Sequence, residues 1–145
     1  MLFTRDLLKE RVLVTLSVRS AFDMYLQARN YPKGSEIIMS AINIPDMVQI
    51  VKEHGLVPVP LDLNIDKMEP VSFEAIKPLI NEKTKCVLFA YLYGIRYDIK
   101  PFIEILNEKN IDIIEDVAQS FCGAKRFNGT PGVRLTLFSL GLIKV

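Results

Sequence analysis

Near the end of the chain, Glu115-Asp116 closes the apolar run Ile111-Asp112-Ile113-Ile114, and Ser139, Gly141 and Lys144 follow before Val145. A carboxylate at a strand end can keep a heterocyclic nitrogen protonated, a hydroxyl can hold a phosphate, and an amine can condense with an aldehyde. Together these are the demands that pyridoxal phosphate makes on a protein. Asp116 has a second reading, as the N-cap of a helix over 117–121. Gln119 would then share a helical face with Asp116 and could reach an oxygen of the same ligand. At Ser17-Val18-Arg19-Ser20, hydroxyls and an Arg precede an amphipathic stretch, so amides at a helix start could receive a phosphate. Ordinary capping by Ser17 explains that motif equally.

These residues need a scaffold that delivers strand ends and helix starts to one edge. Short apolar runs alternate with longer amphipathic segments, which predicts a mostly parallel sheet covered by helices on both faces, a three-layer α/β/α arrangement. The expected strands are Glu36–Ser40, Val57–Leu61, Lys85–Tyr91, Ile111–Glu115 and Leu135–Ser139. Expected helices are Ser20–Arg29, Pro45–His54, Ser72–Ile80 and Lys100–Lys109. Pro45 suits a first helical turn, and Gly55 suits a C-terminal cap. Asn43, Asp98 and Ser72 are the expected N-caps. Pro58 and Pro60 cannot donate to a ladder, which sends Val57–Leu61 to a sheet edge. Cys122-Gly123 is expected to turn the chain away from the acidic pair.

Composition narrows the classes. At 145 residues, half of them hydrophobic, the chain can bury one core, and it is read as one unit without repeats or linkers. A net charge of +1, with basic residues scattered among acids, leaves no field for nucleic acid. The longest apolar stretch, Cys86 to Ile95, falls short of the roughly 18 residues a membrane span needs. Cys86 and Cys122 lie far apart and read as reduced residues of a cytoplasmic protein, without a metal site. The single histidine, His54, is expected to serve a helix end, which removes His-based triads and metal clusters. The Gly-rich fingerprints of dinucleotide and P-loop sites are missing.

Taken in order, these motifs resemble the DegT/DnrJ-type sugar aminotransferases, pyridoxal-phosphate enzymes of the aspartate-aminotransferase fold. Ser17-Val18-Arg19-Ser20-Ala21 is similar to the family's Ser-Gly-Thr-Ala-Ala, and Lys33-Gly34-Ser35-Glu36-Ile37-Ile38 to its Pro-Gly-Asp-Glu-Val-Ile. Gly55-Leu56-Val57-Pro58-Val59, Glu82-Lys83-Thr84-Lys85 and Leu92-Tyr93-Gly94 match further segments. Glu115-Asp116-Val117-Ala118-Gln119-Ser120 and Phe138-Ser139 through Lys144 are the most specific.

The resemblance implies roles. Asp116 would pair with the ring nitrogen and Gln119 with the phenolic oxygen. Ser139 and Ser20 would bind the phosphate with amides near Arg19. Lys144 would attach the cofactor and move the proton in catalysis. It further implies transfer of an amino group from an amino acid such as glutamate to a keto sugar on a nucleotide, within a homo-oligomer. A Lys at this place, and not a His, favours transamination over the family's dehydratase branch. Three positions depart from the pattern: Val18 for a Gly, Ile44 for a ring-stacking aromatic, and Arg134 for an acid. Residues 1–145 are expected to form part of the large domain, with the small C-terminal domain absent. Lys144 beside a terminal carboxylate would then be a poor catalyst, so weak or no turnover and self-association are expected. The alternative is a non-catalytic remnant or interaction module that keeps the fold.

Overall fold

Side chains that alternate along each strand divide the core between two faces of one sheet, and that division decides what each residue can reach. The computed structural model describes residues 12–70, 72–120 and 129–139. In chain order these form α1 (Val18–Arg29), β1 (Glu36–Ser40), α2 (Pro45–Glu53), β2 (Val57–Leu61), β3 (Leu63–Asn64) and β4 (Glu69–Pro70). Then come α3 (Phe73–Ile76), a 3-10 turn (Lys77–Leu79), β5 (Thr84–Ala90), α4 (Lys100–Glu108), β6 (Asp112–Asp116) and β7 (Leu135–Leu137). Lys144, Gly141 and the Cys122-Gly123 turn lie outside the described residues.

The main sheet has the order β2-β1-β5-β6-β7, and every pairing in it is parallel. This is the mostly parallel sheet that the alternating pattern predicts. Phe22 and Leu26 of α1 and Met47 and Val51 of α2 pack with Ile37, Met39, Leu88 and Ile114 on one face. Ile76, Phe102 and Leu106 pack with Ile38, Val87, Phe89 and Ile113 on the other, completing the three layers. β2 does lie at an edge, where Pro58 and Pro60 need no outer partner.

Helix boundaries show where local chemistry prevails. Ser17 caps α1 by accepting from Ser20 N–H, so the helix starts at Val18, ahead of the expected Ser20. Ser72 caps α3 as expected, but the helix to Ile80 does not continue as α. Pro78 has no N–H to give Glu74, and the chain tightens into the 3-10 turn. Asn43 and Asp98 are not the caps: Ile44 and Ile99 hold those positions without a side-chain bond. The carboxamide of Asn43 instead accepts from Ile44 N–H, and Asp98 accepts from Lys100 N–H. Gly55 follows α2 at φ 71°, a conformation that favours glycine, and its N–H bonds to Lys52 O. Residues 118–120 form a turn, so the helix considered for 117–121 does not start there.

Candidate functional site

β1 leads leftward to β2 while β5 leads rightward to β6, so the connections part between the neighbouring strands β1 and β5. Ligands of open parallel sheets bind outside the carboxyl ends of the strands at such a parting. Asp116 is the last residue of β6 and only 8% exposed. The alternation Asp112, Ile114, Asp116 turns it toward the face covered by α1 and α2, whereas Glu115 turns to the opposite face.

Contacts at the far end of β6 set the height of α1. Tyr25 Oη donates to the Asp112 carboxylate at 2.8 Å, and Arg29 Nε lies 2.6 Å from it. From Asp112 to Asp116 the strand climbs about 13 Å at about 3.3 Å per residue. From Tyr25 back to Ser17 the helix climbs about 12 Å at about 1.5 Å per residue. The start of α1 is therefore level with Asp116. Ser139 stands two residues beyond Leu137, which is paired in register with Asp116, and β7 packs against α1. Asp116, Ser139 and Ser17–Ser20 thus share one edge of the sheet.

Each site residue has its own surroundings. Asp116 Oδ1 accepts from Ala118 N–H at 2.9 Å, which starts the turn that carries Gln119. Arg96 holds the same turn by donating to Ser120 O at 2.8 Å. Gln119 is exposed, and its Oε1 accepts from Tyr93 N–H at 3.1 Å, which presents the amide NH2 outward as a donor. Ser17 Oγ takes Ser20 N–H and Ser17 O takes Ala21 N–H. The Val18 and Arg19 amides remain at the positive end of the helix. Ser20 Oγ lies 3.0 Å from Ser17 Oγ, so the two hydroxyls form a pair. The Arg19 guanidinium is tied to Asp46 at 3.0 Å, so Arg19 offers an anion its amide and not its charge. Arg134 lies at the other end of the sheet, 4.0 Å from Asp112.

Two polar atoms on this edge escaped the sequence reading. Asn43 Nδ2 and Ser120 Oγ are buried without a hydrogen-bond partner among the described residues. Asn43 follows the end of β1, at the parting of the strands, and Ser120 ends the turn after Asp116. The cap-like sequence around Asn43 concealed the first, because only packing shows that its NH2 is unspent. Burial raises the Tyr91 and Tyr97 hydroxyls well above the usual tyrosine range, so both are neutral hydrogen-bonding groups behind the site.

A phosphorylated pyridine aldehyde fits this donor set. One carboxylate faces the edge for a ring cation, one amide NH2 faces it for an oxygen, and hydroxyls and helix-start amides offer a phosphate cradle. Unspent buried donors are what a site built for a polar ligand would leave. Two clefts lie elsewhere. One of about 330 Å³ runs along Gly129–Thr136, and one of about 390 Å³ lies around Arg29, Asn107, Asp112 and Arg134. The second is lined by charges and amides, with little apolar wall for a ring, so the chemistry singles out the Asp116 edge over the concavities. Among the described residues, no group of His, Cys, Asp and Glu is placed to hold a metal ion, and no helix is long and apolar enough to cross a membrane.

Comparison with known proteins shows which family the chain resembles. The model of the DegT/DnrJ/EryC1/StrS aminotransferase family matches residues 3–138. The chain is 29% identical over 115 residues to the GDP-perosamine synthase of Escherichia coli O157:H7, covering 77% of the chain and 31% of that protein. It is 31% identical over 115 residues to the 3-oxo-glucose-6-phosphate:glutamate aminotransferase of Bacillus subtilis, covering 77% of the chain and 25% of that protein. The solved structure of ntda from Bacillus subtilis, with bound cofactor PMP, is 29% identical at a TM-score of 0.62 and covers 72% of the chain and 24% of its own. The chain thus spans between a quarter and a third of the length of these curated relatives.

Proposed function

The chain belongs to the DegT/DnrJ/EryC1/StrS aminotransferase family, whose members use pyridoxal phosphate, and on that premise we propose that it supplies the cofactor-binding half of a sugar aminotransferase site. The observation that carries this reading is Asp116: a nearly buried carboxylate at a strand end, on the face beneath the start of α1. Its substrates would be a keto sugar on a nucleotide and an amino-acid donor such as glutamate. Residues 1–145 correspond to part of a large domain. With so small a share of the relatives' length, these residues alone would turn over slowly or not at all.

When bound, pyridoxal phosphate supplies an electron sink for labile bonds at the amino carbon. The chain's own residues prepare that chemistry. Asp116 holds a proton on the ring nitrogen by keeping a negative charge beside it. Gln119 donates to the phenolic oxygen through the amide that Tyr93 orients. The Val18 and Arg19 amides, with Ser20 and Ser139, hold the phosphate at the helix start. Lys144 would attach the cofactor at its aldehyde carbon and, once displaced by the amino donor, move a proton between the substrate and cofactor carbons.

A homo-oligomer is the proposed assembly. Leu13, Val14 and Leu16 are 70%, 81% and 101% exposed just before α1, a cost in water that a second copy would remove. The working compartment would be the cytoplasm, where Cys86, buried as a free thiol, stays reduced.

Titration with pyridoxal phosphate tests the reading. A visible absorbance band in the native chain, lost in Lys144→Ala, is the expected result, together with release of the 2-oxo acid from glutamate by a full-length enzyme. A chain that gives no band would leave the interaction-module reading in its place.

A further inference from the structure

Glu115 is fully buried, and among the described residues it forms no salt bridge. Such a carboxylate is costly unless donors surround it. Here four do. Oε1 accepts from Tyr91 Oη at 2.6 Å and Thr130 Oγ1 at 2.6 Å, and Oε2 accepts from Thr130 N–H at 2.8 Å and Thr136 Oγ1 at 3.4 Å. Two of these bonds come from Thr130 in the segment that leads into β7, and a third from Thr136 within β7 itself. That segment passes so close that a Cβ added at Gly129, where φ is 95°, would sit 2.3 Å from Thr136 Oγ1.

β7 needs such help. It has three residues, borders the described sheet, and pairs only with β6. A strand this short holds its register poorly by its ladder alone. Yet its register matters, because Leu137 opposite Asp116 fixes where Ser139 emerges, and Leu137 O also accepts from Val117 N–H at 3.0 Å. We propose that Glu115 is a positioning residue: a carboxylate clamp on the back of the sheet that locks β7 and thereby holds Ser139 beside Asp116 for the phosphate. The neighbouring acids divide the work, Asp116 toward the ligand and Glu115 toward the strand that completes its cradle. The phosphate part of this inference rests on the cofactor reading above, whereas the clamp does not.

Two measurements separate them. The first is amide exchange at Val117, which needs no cofactor. Glu115→Ala is expected to lose protection there. Glu115→Gln is expected to keep it, because the amide oxygen can face Thr130 N–H while its NH2 donates to the hydroxyls of Tyr91 and Thr130. The second is binding of pyridoxal phosphate and of pyridoxal, which lacks the phosphate. In Glu115→Ala the Kd for pyridoxal phosphate should rise roughly tenfold or more, and that for pyridoxal by less than about threefold. Glu115→Gln should stay within about threefold of the native chain for both. Unchanged Val117 protection in Glu115→Ala would overturn the clamp. An equal loss of both ligands would show general damage and overturn the positioning role. If the native chain binds neither ligand, the cofactor reading fails and Val117 exchange alone decides the clamp. If Glu115→Ala does not fold, Thr130→Val removes one donor and should shift both measurements in the same direction by less.

Discussion

The Tyr25 hydroxyl donates to the Asp112 carboxylate across 2.8 Å, joining the middle of α1 to the first residue of β6. Tyr31 and Arg29 share the same carboxylate. Asp112→Ala leaves those partners without their acceptor and should lower stability by about 2–3 kcal/mol. Tyr25→Phe should cost about 1 kcal/mol. Urea unfolding midpoints measure both. Midpoints equal to the native chain's would remove this contact as the one that sets the height of α1.

Asp116→Asn separates charge from shape. The amide oxygen can still accept from Ala118 N–H, so the unfolding midpoint should move little. A neutral group no longer favours a protonated ring nitrogen, and pyridoxal phosphate binding should weaken by roughly tenfold or more. Spectroscopic titration beside urea unfolding gives the comparison. Unaltered affinity would take Asp116 out of the site.

Gly129→Ala should be strongly destabilising. The residue sits at φ 95°, and its new methyl would meet Thr136 Oγ1 at 2.3 Å. Backbone strain and overpacking together predict a loss of about 2–4 kcal/mol. Gly34, also at positive φ, has nothing within 4 Å, so Gly34→Ala carries the backbone strain without the clash and should cost less. Thermal melts of the pair would reveal the difference.

Alkaline pH should weaken the fold. Burial, the largest cause in each case, raises the hydroxyls of Tyr25, Tyr31, Tyr91 and Tyr97 above the ordinary tyrosine value. Between the unfolded value near 10 and the raised folded values, the unfolded chain has released protons that the folded chain still holds. The stability from these groups is therefore whole below about pH 10 and falls as pH rises through that window. Tyrosinate absorbance should appear together with loss of the far-ultraviolet helix signal. Full ionisation of these tyrosines in a chain that remains folded would contradict it.

Much of the fold was legible because short β-branched runs, too brief for a helix, leave a plain mark. Glu36–Ser40 and Val57–Leu61 have the expected boundaries, and prolines placed the latter at its edge. Lys85–Tyr91 and Ile111–Glu115 each shift by one residue, since ladder bonds and not side-chain type end a strand. The Ser72–Ile80 helix was misjudged because Pro78 weighs on a carbonyl one turn back. The acid proposed to face the ligand was recognisable in Asp116, but its neighbour Glu115 was not recognisable as the proposed clamp. Its partners, Tyr91, Thr130 and Thr136, are distant along the chain and ordinary in type.

By itself the sequence determined the layering, the strand order's edge at β2, and the residue types needed for a phosphorylated cofactor. Those follow from local rules: burial period, proline's missing donor, and the chemistry each side chain carries anywhere. Only the tertiary structure decided that Arg19 spends its charge on Asp46, that Asn43 keeps a buried donor unspent, and that Glu115 faces away from Asp116. Each is a question of which distant groups meet. Packing answers it, because the energy of a charge or a donor depends on the partners and the water around it.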